Sequence, residues 1–536
     1  MVKKLQPHHP GDPSVSPRRS ANGISSCHQD INLIPNSEIN SYLCRIENKI
    51  KNNMKISELS PNVVWKQFEE ILKVPRPSKH EEKMVEFLVN FAKEHKLNYT
   101  VDETQNVIIK KSATKGYENK PSVALQAHMD MVCDKTADKI HDFLTDPITP
   151  IVDGEWVKAD RTTLGADDGI GVAAMLAILA SDDIEHGPIE CLFTRDEETG
   201  LTGAHGLGKG LLNSKILLNL DSEDDGLIFI GCAGGMDTVG TMKVSYKKPV
   251  GIGSYKAYKV VVTGLLGGHS GDDINKGRGN ANKLLVRFLA DYAQKYPIQL
   301  ADFSGGNLRN AIAHDATAIV RIKTRDVNVF EKMVKDYDTI YKNELSLTDA
   351  GVALICSDTY MPDKVLSQKD FNRFINLIYG MPHGVLGMSF KLKGIVETST
   401  NLASIKFIDD KIEVVTSQRS DSESLKFFAA NMVAHCFELV GAEYEHSDGY
   451  PGWSPNPGSP ILKTAAQVYK DLFNQEPICC SIHAGLECGL FLEKYPDMDM
   501  ISYGPTLRGV HTPDEKIEIS TVDKFWKMTL EILKRV

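Results

Sequence analysis

Residues 122–132 read SVALQAHMDMV, and residues 165–181 read GADDGIGVAAMLAILAS. The first is a short apolar run closing on a histidine and an aspartate, which predicts a buried strand. The second is apolar on every side, which predicts a buried helix opening directly after Asp168. A buried strand alternating with a buried helix is the unit of an α/β fold. Working outward, IECLFTR (189–195), ILLNLD (216–221) and LIFIGC (227–232) repeat the strand pattern.

From about Met236 the character changes to longer strands interleaved with two amphipathic stretches, KLLVRFLADYAQKY (283–296) and FEKMVKDYDTIYKNEL (330–345). A strand-rich run from Ser389 to Ser417 and a helix-like SLKFFAANMVAHCFELV (424–440) follow, so this middle block reads as a second, α+β domain. After Tyr450-Pro451-Gly452 the α/β pattern resumes with SPILKTAAQVYKDLF (459–473), DMDMISYGP (497–505) and TVDKFWKMTLEILKRV (521–536). One domain is therefore expected inside another. The expected boundaries are 54–235 and 449–536 for the outer domain and 236–448 for the insert. Residues 1–53 are rich in Ser, Asn, Pro and His without the layout of a secretory signal, and read as a disordered leader ahead of Met54. Ser60-Pro61 predicts a helix start.

Composition removes several function classes. With 61 Lys and Arg against 71 Asp and Glu, the formal charge is −10, which argues against a nucleic-acid partner. A hydrophobic fraction of 42% supports a packed core, and no apolar run reaches the length a membrane span needs. Ten cysteines in 536 residues, with no CxxC pair, make no disulfide framework and point to a reducing, cytoplasmic setting.

The chemistry lies in carboxylates and histidines at predicted strand ends. Alternate residues of a strand share a face, so His128 and Asp130 point the same way. A ligand histidine needs an acceptor on its other ring nitrogen, and His-x-Asp supplies both ligand and orienting partner. Alone, the pair also fits a satisfied core histidine. Gly165-Ala166-Asp167-Asp168-Gly169 then sets two carboxylates at a helix start, where N-capping accounts for only one comfortably. Arg195-Asp196-Glu197-Glu198-Thr199-Gly200 and Asn219-Leu220-Asp221-Ser222-Glu223 each follow an apolar strand, where open α/β sheets place ligands. Val510-His511-Thr512-Pro513-Asp514-Glu515 occupies a late loop.

A carboxylate bridging two metals, with one histidine and one further carboxylate on each, makes a co-catalytic dizinc site. Two zinc ions about 3.5–4 Å apart can share a hydroxide and polarise a carbonyl. Imidazole and carboxylate suit zinc, and manganese or cobalt would also serve. His128, His511, Asp167, Glu198 and Asp221 meet the count, which leaves Glu197 as general base. Position alone separates neither Glu197 from Glu198 nor Asp167 from Asp168.

The sequence resembles the lid-bearing dizinc exopeptidases, and within them the aminoacyl-histidine dipeptidases, the Xaa-His or cytosol non-specific group. The resemblance runs from about Met54 to the C-terminus. It is carried by QAHMDMV (126–132), DPITPIVDGEWVKADRTTLGADDGIG (146–171), DSEDDG (221–226), GCAGG (231–235), GLLGGHSGDDI (264–274), GNANKLLVRFLA (279–290), HAGLECGLF (483–491) and HTPDE (511–515). Such motifs in fixed order are far more specific than any one of them. Two departures, Ala313-His314 and Thr512, leave the ligand positions untouched.

The resemblance implies a mixed sheet flanked by helices with an inserted α+β lid, and a homodimer. It makes His128, Asp167, Glu198, Asp221 and His511 the metal ligands, with Asp167 bridging, Asp130 orienting His128 and Glu197 the base. It also implies that His269 stabilises the oxyanion, often across a dimer, and that Asn310, Arg419, His483 and Glu487 contact substrate. A guanidinium such as that of Arg419 suits a free C-terminal carboxylate. The implied activity is metal-dependent hydrolysis of unblocked dipeptides, Xaa-His included. A related N-acyl amino acid deacylase and a non-catalytic binding protein on the same fold are the alternatives.

Overall fold

A computed structural model describes residues 55–249, 251 and 253–536; the leader expected over 1–53 lies outside the described residues. The α/β reading holds. An eight-stranded mixed sheet runs in the order Asn98–Val101, Val107–Lys111, Ile189–Thr194, Val123–His128, Ile216–Asn219, Asp499–Ser502, Leu227–Cys232, Ile478–Ile482. Its four central strands, Ile189–Thr194 to Asp499–Ser502, are mutually parallel. Both Val123–His128 and Ile189–Thr194 are buried along their whole length, as parallel strands covered on both faces require.

The helix Ala166–Ala180 packs against Val123–His128 on one side and against the helix Asn62–Ile71 on the other. Sandwiched in this way, it has no use for a polar face, which explains its all-round apolar sequence. The Ser60-Pro61 signal marks the start of Asn62–Ile71, with Pro61 at the cap rather than in the first turn.

A second sheet of nine strands is built wholly from strands lying between Gly234 and His446. Four helices, Ala281–Ala293, Val327–Glu344, Gln368–Gly380 and Glu423–Leu439, place Phe288, Phe330, Phe374 and Phe437 in one core with its strands. The sequence reading marked no helix at Gln368–Gly380. Its signals are nevertheless present: Ser367 caps the Asp370 amide, and Phe371, Phe374, Ile375 and Ile378 fall at helical spacing.

Two chain segments connect the sheets, and they are bonded to each other. Cys232 and Trp453 exchange backbone hydrogen bonds of 2.9 Å, as do Gly235 and Tyr450 at 3.1 and 2.9 Å. The eight described cysteines are free thiols, and no described helix is long and apolar enough to cross a membrane. Leu125 stands at the centre of the main sheet with no exposed surface. Leu125→Ala is expected to destabilise the protein by about 2–5 kcal/mol, read as a lower urea midpoint.

Candidate metal centre and active-site cleft

The four parallel strands deliver their side chains to one rim. His128 ends the first strand, Glu197 and Glu198 follow Thr194, Asp221 follows Asn219, and the chain beyond Ser502 loops back to His511. Asp167 joins them from the kinked start of the buried helix, where Asp167 and Asp168 leave helical geometry. The two oxygens of Asp167 face different imidazoles: Oδ1 is 3.1 Å from His128 Nε2, and Oδ2 is 3.1 Å from His511 Nε2. Asp221 Oδ1 stands 3.3 Å from His128 Nε2, and Glu198 Oε2 stands 3.0 Å from His511 Nε2. The donor atoms of His128, Asp167 and Asp221 lie within 4.8 Å of one another, as do those of Asp167, Glu198 and His511. One carboxylate shared by two histidine–carboxylate pairs fits two divalent cations. Asp168, the alternative to Asp167, turns inward and accepts from the Gly171 amide at 3.1 Å.

The electrostatics say the same. Hydrogen bonds to Asp167 and Glu198 push the His511 imidazolium up to about 11. Burial works against protonation of His128, but Asp221, Asp130 and Asp167 outweigh it and hold the ring well above its usual range. Burial lifts Asp221 to about 7 despite its histidine neighbour. A cluster that grips protons this tightly calls for positive charge.

Asp130 holds two parts of the rim together. Its Oδ1 lies 3.3 Å from His128 Nδ1 and accepts from the Glu197 amide at 3.0 Å. Its Oδ2 accepts from Ser78 Oγ at 2.8 Å and the Glu198 amide at 3.3 Å. The loop carrying Asp167 is gripped from both sides. The Glu515 carboxylate accepts from the amides of Leu164, Gly165 and Ala166 at 2.8, 3.0 and 2.7 Å, and from that of Asp167 at 3.4 Å. The buried Arg76 guanidinium donates to the carbonyls of Met129, Asp130 and Gly165. Neither residue was marked in the sequence as functional. Glu515 carried a signal, as the last residue of the HTPDE motif; Arg76 carried none.

A cleft of about 520 Å³ opens beside the cluster, lined by Glu197, Glu198, Asn310, Arg419 and Tyr450 among others. Arg419 is only 7% exposed and makes no ion pair among the described residues; its Nε donates to Ser270 Oγ at 3.3 Å and its Nη1 to Tyr450 Oη at 3.0 Å. Two residues expected at the substrate, Glu487 and His483, do not line this cleft. Glu487 is wholly buried beneath the rim, where its Oε2 accepts from Gln126 Nε2 at 2.6 Å and Thr194 Oγ1 at 2.7 Å. His483 is bonded to Ser399 at 2.8 Å and lines a separate hollow with Gly271 and Ser481. His269 does not line the cleft of its own chain; its Nδ1 lies 3.3 Å from the amides of Gly271 and Asp272.

Residues 124–535 match the model of peptidase family M20/M25/M40. The chain belongs to that family. It is 44% identical over 483 residues to the cytosol non-specific dipeptidase of Escherichia coli, covering 90% of this chain and 99% of the relative. Among solved structures, the aminoacylhistidine dipeptidase of Vibrio alginolyticus superposes with a TM-score of 0.85 at 44% identity, covering 90% of this chain and 98% of the other. A tripeptidase from Staphylococcus aureus shares the fold, with a TM-score of 0.51 at 16% identity, over 89% and 98% of the two chains.

In this M20 peptidase the Glu515 grip fixes the Asp167 loop through backbone amides alone. Glu515→Gln leaves half of that grip and is expected to weaken metal binding by about 10- to 100-fold. Metal analysis after equilibrium dialysis against graded zinc checks it; unchanged affinity would contradict the positioning role.

Proposed function

We propose that this chain is a dizinc dipeptidase that hydrolyses unblocked dipeptides, Xaa-His among them, as a cytoplasmic homodimer. The observation that carries the reading is Asp167, whose two oxygens each face a different histidine–carboxylate pair. The names of the two relatives at 44% identity support the dipeptide as substrate. No observation favours the deacylase or the binding protein. We read the nine-stranded sheet and its helices as the lid over 236–448, set into a catalytic domain of 54–235 and 449–536.

His128 and Asp221 would hold one ion, His511 and Glu198 the other, with Asp167 between them and Asp130 orienting His128. Zinc is the metal this donor set favours, with manganese or cobalt as substitutes. When bound, the pair supplies Lewis acidity to the scissile carbonyl and acidifies the attacking water. Glu197 accepts a proton from that water on its carboxylate and returns it to the leaving nitrogen. Burial raises the Glu197 carboxyl well above its usual range, against the pull of His128 and with Asp221, Glu487 and Glu198 adding to it. A carboxyl so placed holds a proton more readily than an ordinary glutamate and can take one and hand it on.

Arg419 is a buried guanidinium at the cleft wall that no described carboxylate pairs directly, which suits the carboxylate of a free dipeptide. Asn310 offers a side-chain amide in the same cleft. His269, held off its own cleft, is read as the oxyanion donor of the partner subunit's site.

Glu197→Gln is expected to lower kcat by about 10²- to 10⁴-fold while two metal equivalents remain bound by elemental analysis; wild-type turnover in this variant would refute the assignment. Chelated enzyme is expected to lose cleavage of Ala-His and regain it with zinc or manganese, whereas N-acetyl amino acids stay intact. Preferential cleavage of the N-acetyl compounds would instead make it a deacylase.

A further inference from the structure

Tyr450 sits at the point where the chain returns from the second sheet, and three glycines from two motifs close around it. A Cβ on Gly235 would stand 2.6 Å from its ring, and one on Gly485 2.7 Å from it. A Cβ on Gly234 would meet the Tyr450 carbonyl at 2.6 Å. Gly235 lies in GCAGG and Gly485 in HAGLECG, motifs whose glycines the metal centre leaves unexplained. The tyrosine ring therefore occupies a slot that only glycine walls leave open. Its backbone is fixed as well: the carbonyl accepts from the Gly235 amide at 3.1 Å and from Lys426 Nζ at 2.7 Å, and Lys426 is itself buried.

That much packing sets one hydroxyl against the cleft. Tyr450 Oη accepts from Arg419 Nη1 at 3.0 Å, so its own proton is directed away from the guanidinium. Among the described residues no group accepts that proton. Arg419 is steadied on its other side by Ser270 Oγ, and the Ser270 amide donates to the Asn310 carbonyl at 2.8 Å. Tyr450 thus links the inter-sheet connection to the group of lid residues at the cleft.

We propose that Tyr450 is a substrate-binding residue: its hydroxyl holds Arg419 toward the cleft and donates a second hydrogen bond to the terminal carboxylate of the dipeptide. The inference rests on the reading of Arg419 as the carboxylate seat. It makes the seat a guanidinium and a phenol acting on one anion, and it makes a free carboxylate the feature by which the cleft selects its substrates.

The test is steady-state hydrolysis of Ala-His and of its C-terminal amide by metal-loaded wild type, Tyr450→Phe and Arg419→Gln. Phenylalanine keeps the ring in its slot and removes only the hydroxyl. Tyr450→Phe is expected to raise KM for Ala-His by about ten- to a hundredfold, the loss of a hydrogen bond to a charged group, with kcat within about twofold. The preference for the free acid over the amide should fall by the same factor. Should Arg419→Gln abolish that preference while Tyr450→Phe leaves it intact, the Tyr450 proposal is overturned and the Arg419 reading stands. Should Arg419→Gln leave the preference intact, the carboxylate seat itself is refuted, and Tyr450 with it.

Discussion

The rest of this structure depends on the gathering of negative charge at one rim. Asp167, Glu198 and Asp221 meet around two imidazoles, with Glu197 and Asp130 beside them, in surroundings largely withdrawn from water. Like charges at such distances repel strongly where the dielectric is low, and each carboxylate also loses hydration. The arrangement holds only because cations are called for at its centre and because hydrogen-bond donors are supplied around it. Asp130 takes two backbone amides, and Glu515 takes amides from the loop that carries Asp167. Even the Asp196 backbone, in the left-handed region at φ 50°, is held there by bonds from the Thr199 and Thr202 hydroxyls to its carboxylate.

Beneath the rim lies a second polar layer, set by strand geometry. Gln126, Thr194 and Asn219, on three adjacent parallel strands, bring their side chains together one step below the rim. Asn219 Nδ2 donates to Gln126 Oε1 at 2.6 Å, and Gln126 and Thr194 both donate to Glu487. Burial lifts the Glu487 carboxyl to about 8, so the layer carries little net charge below an already acidic rim. A rigid floor of this kind limits how far the ligands above can drift.

Much of this was legible in the chain. The buried strand ending at His128, the all-round apolar helix after Asp168 and the carboxylates closing IECLFTR and ILLNLD all follow from local periodicity. Arg419 and Asn310 did not follow from periodicity; family resemblance alone marked them, and both line the cleft. Glu487 read as a pocket residue through family resemblance, whereas its side chain turns down into the floor. Arg76 was silent because its guanidinium binds backbone carbonyls, and any three carbonyls look alike in sequence.

By itself, the sequence determined the α/β class, the strand ends at which chemistry gathers and the residue types able to hold two metals. These are properties of local period and composition, and they survive without knowledge of the neighbours. Only the tertiary structure decided which oxygen of Asp167 faces which histidine, that Glu515 and Arg76 grip its loop, and that Tyr450 reaches Arg419. Those contacts join segments from a few tens to several hundred residues apart, where hydrogen-bond distance is set by sheet order and packing rather than by position along the chain.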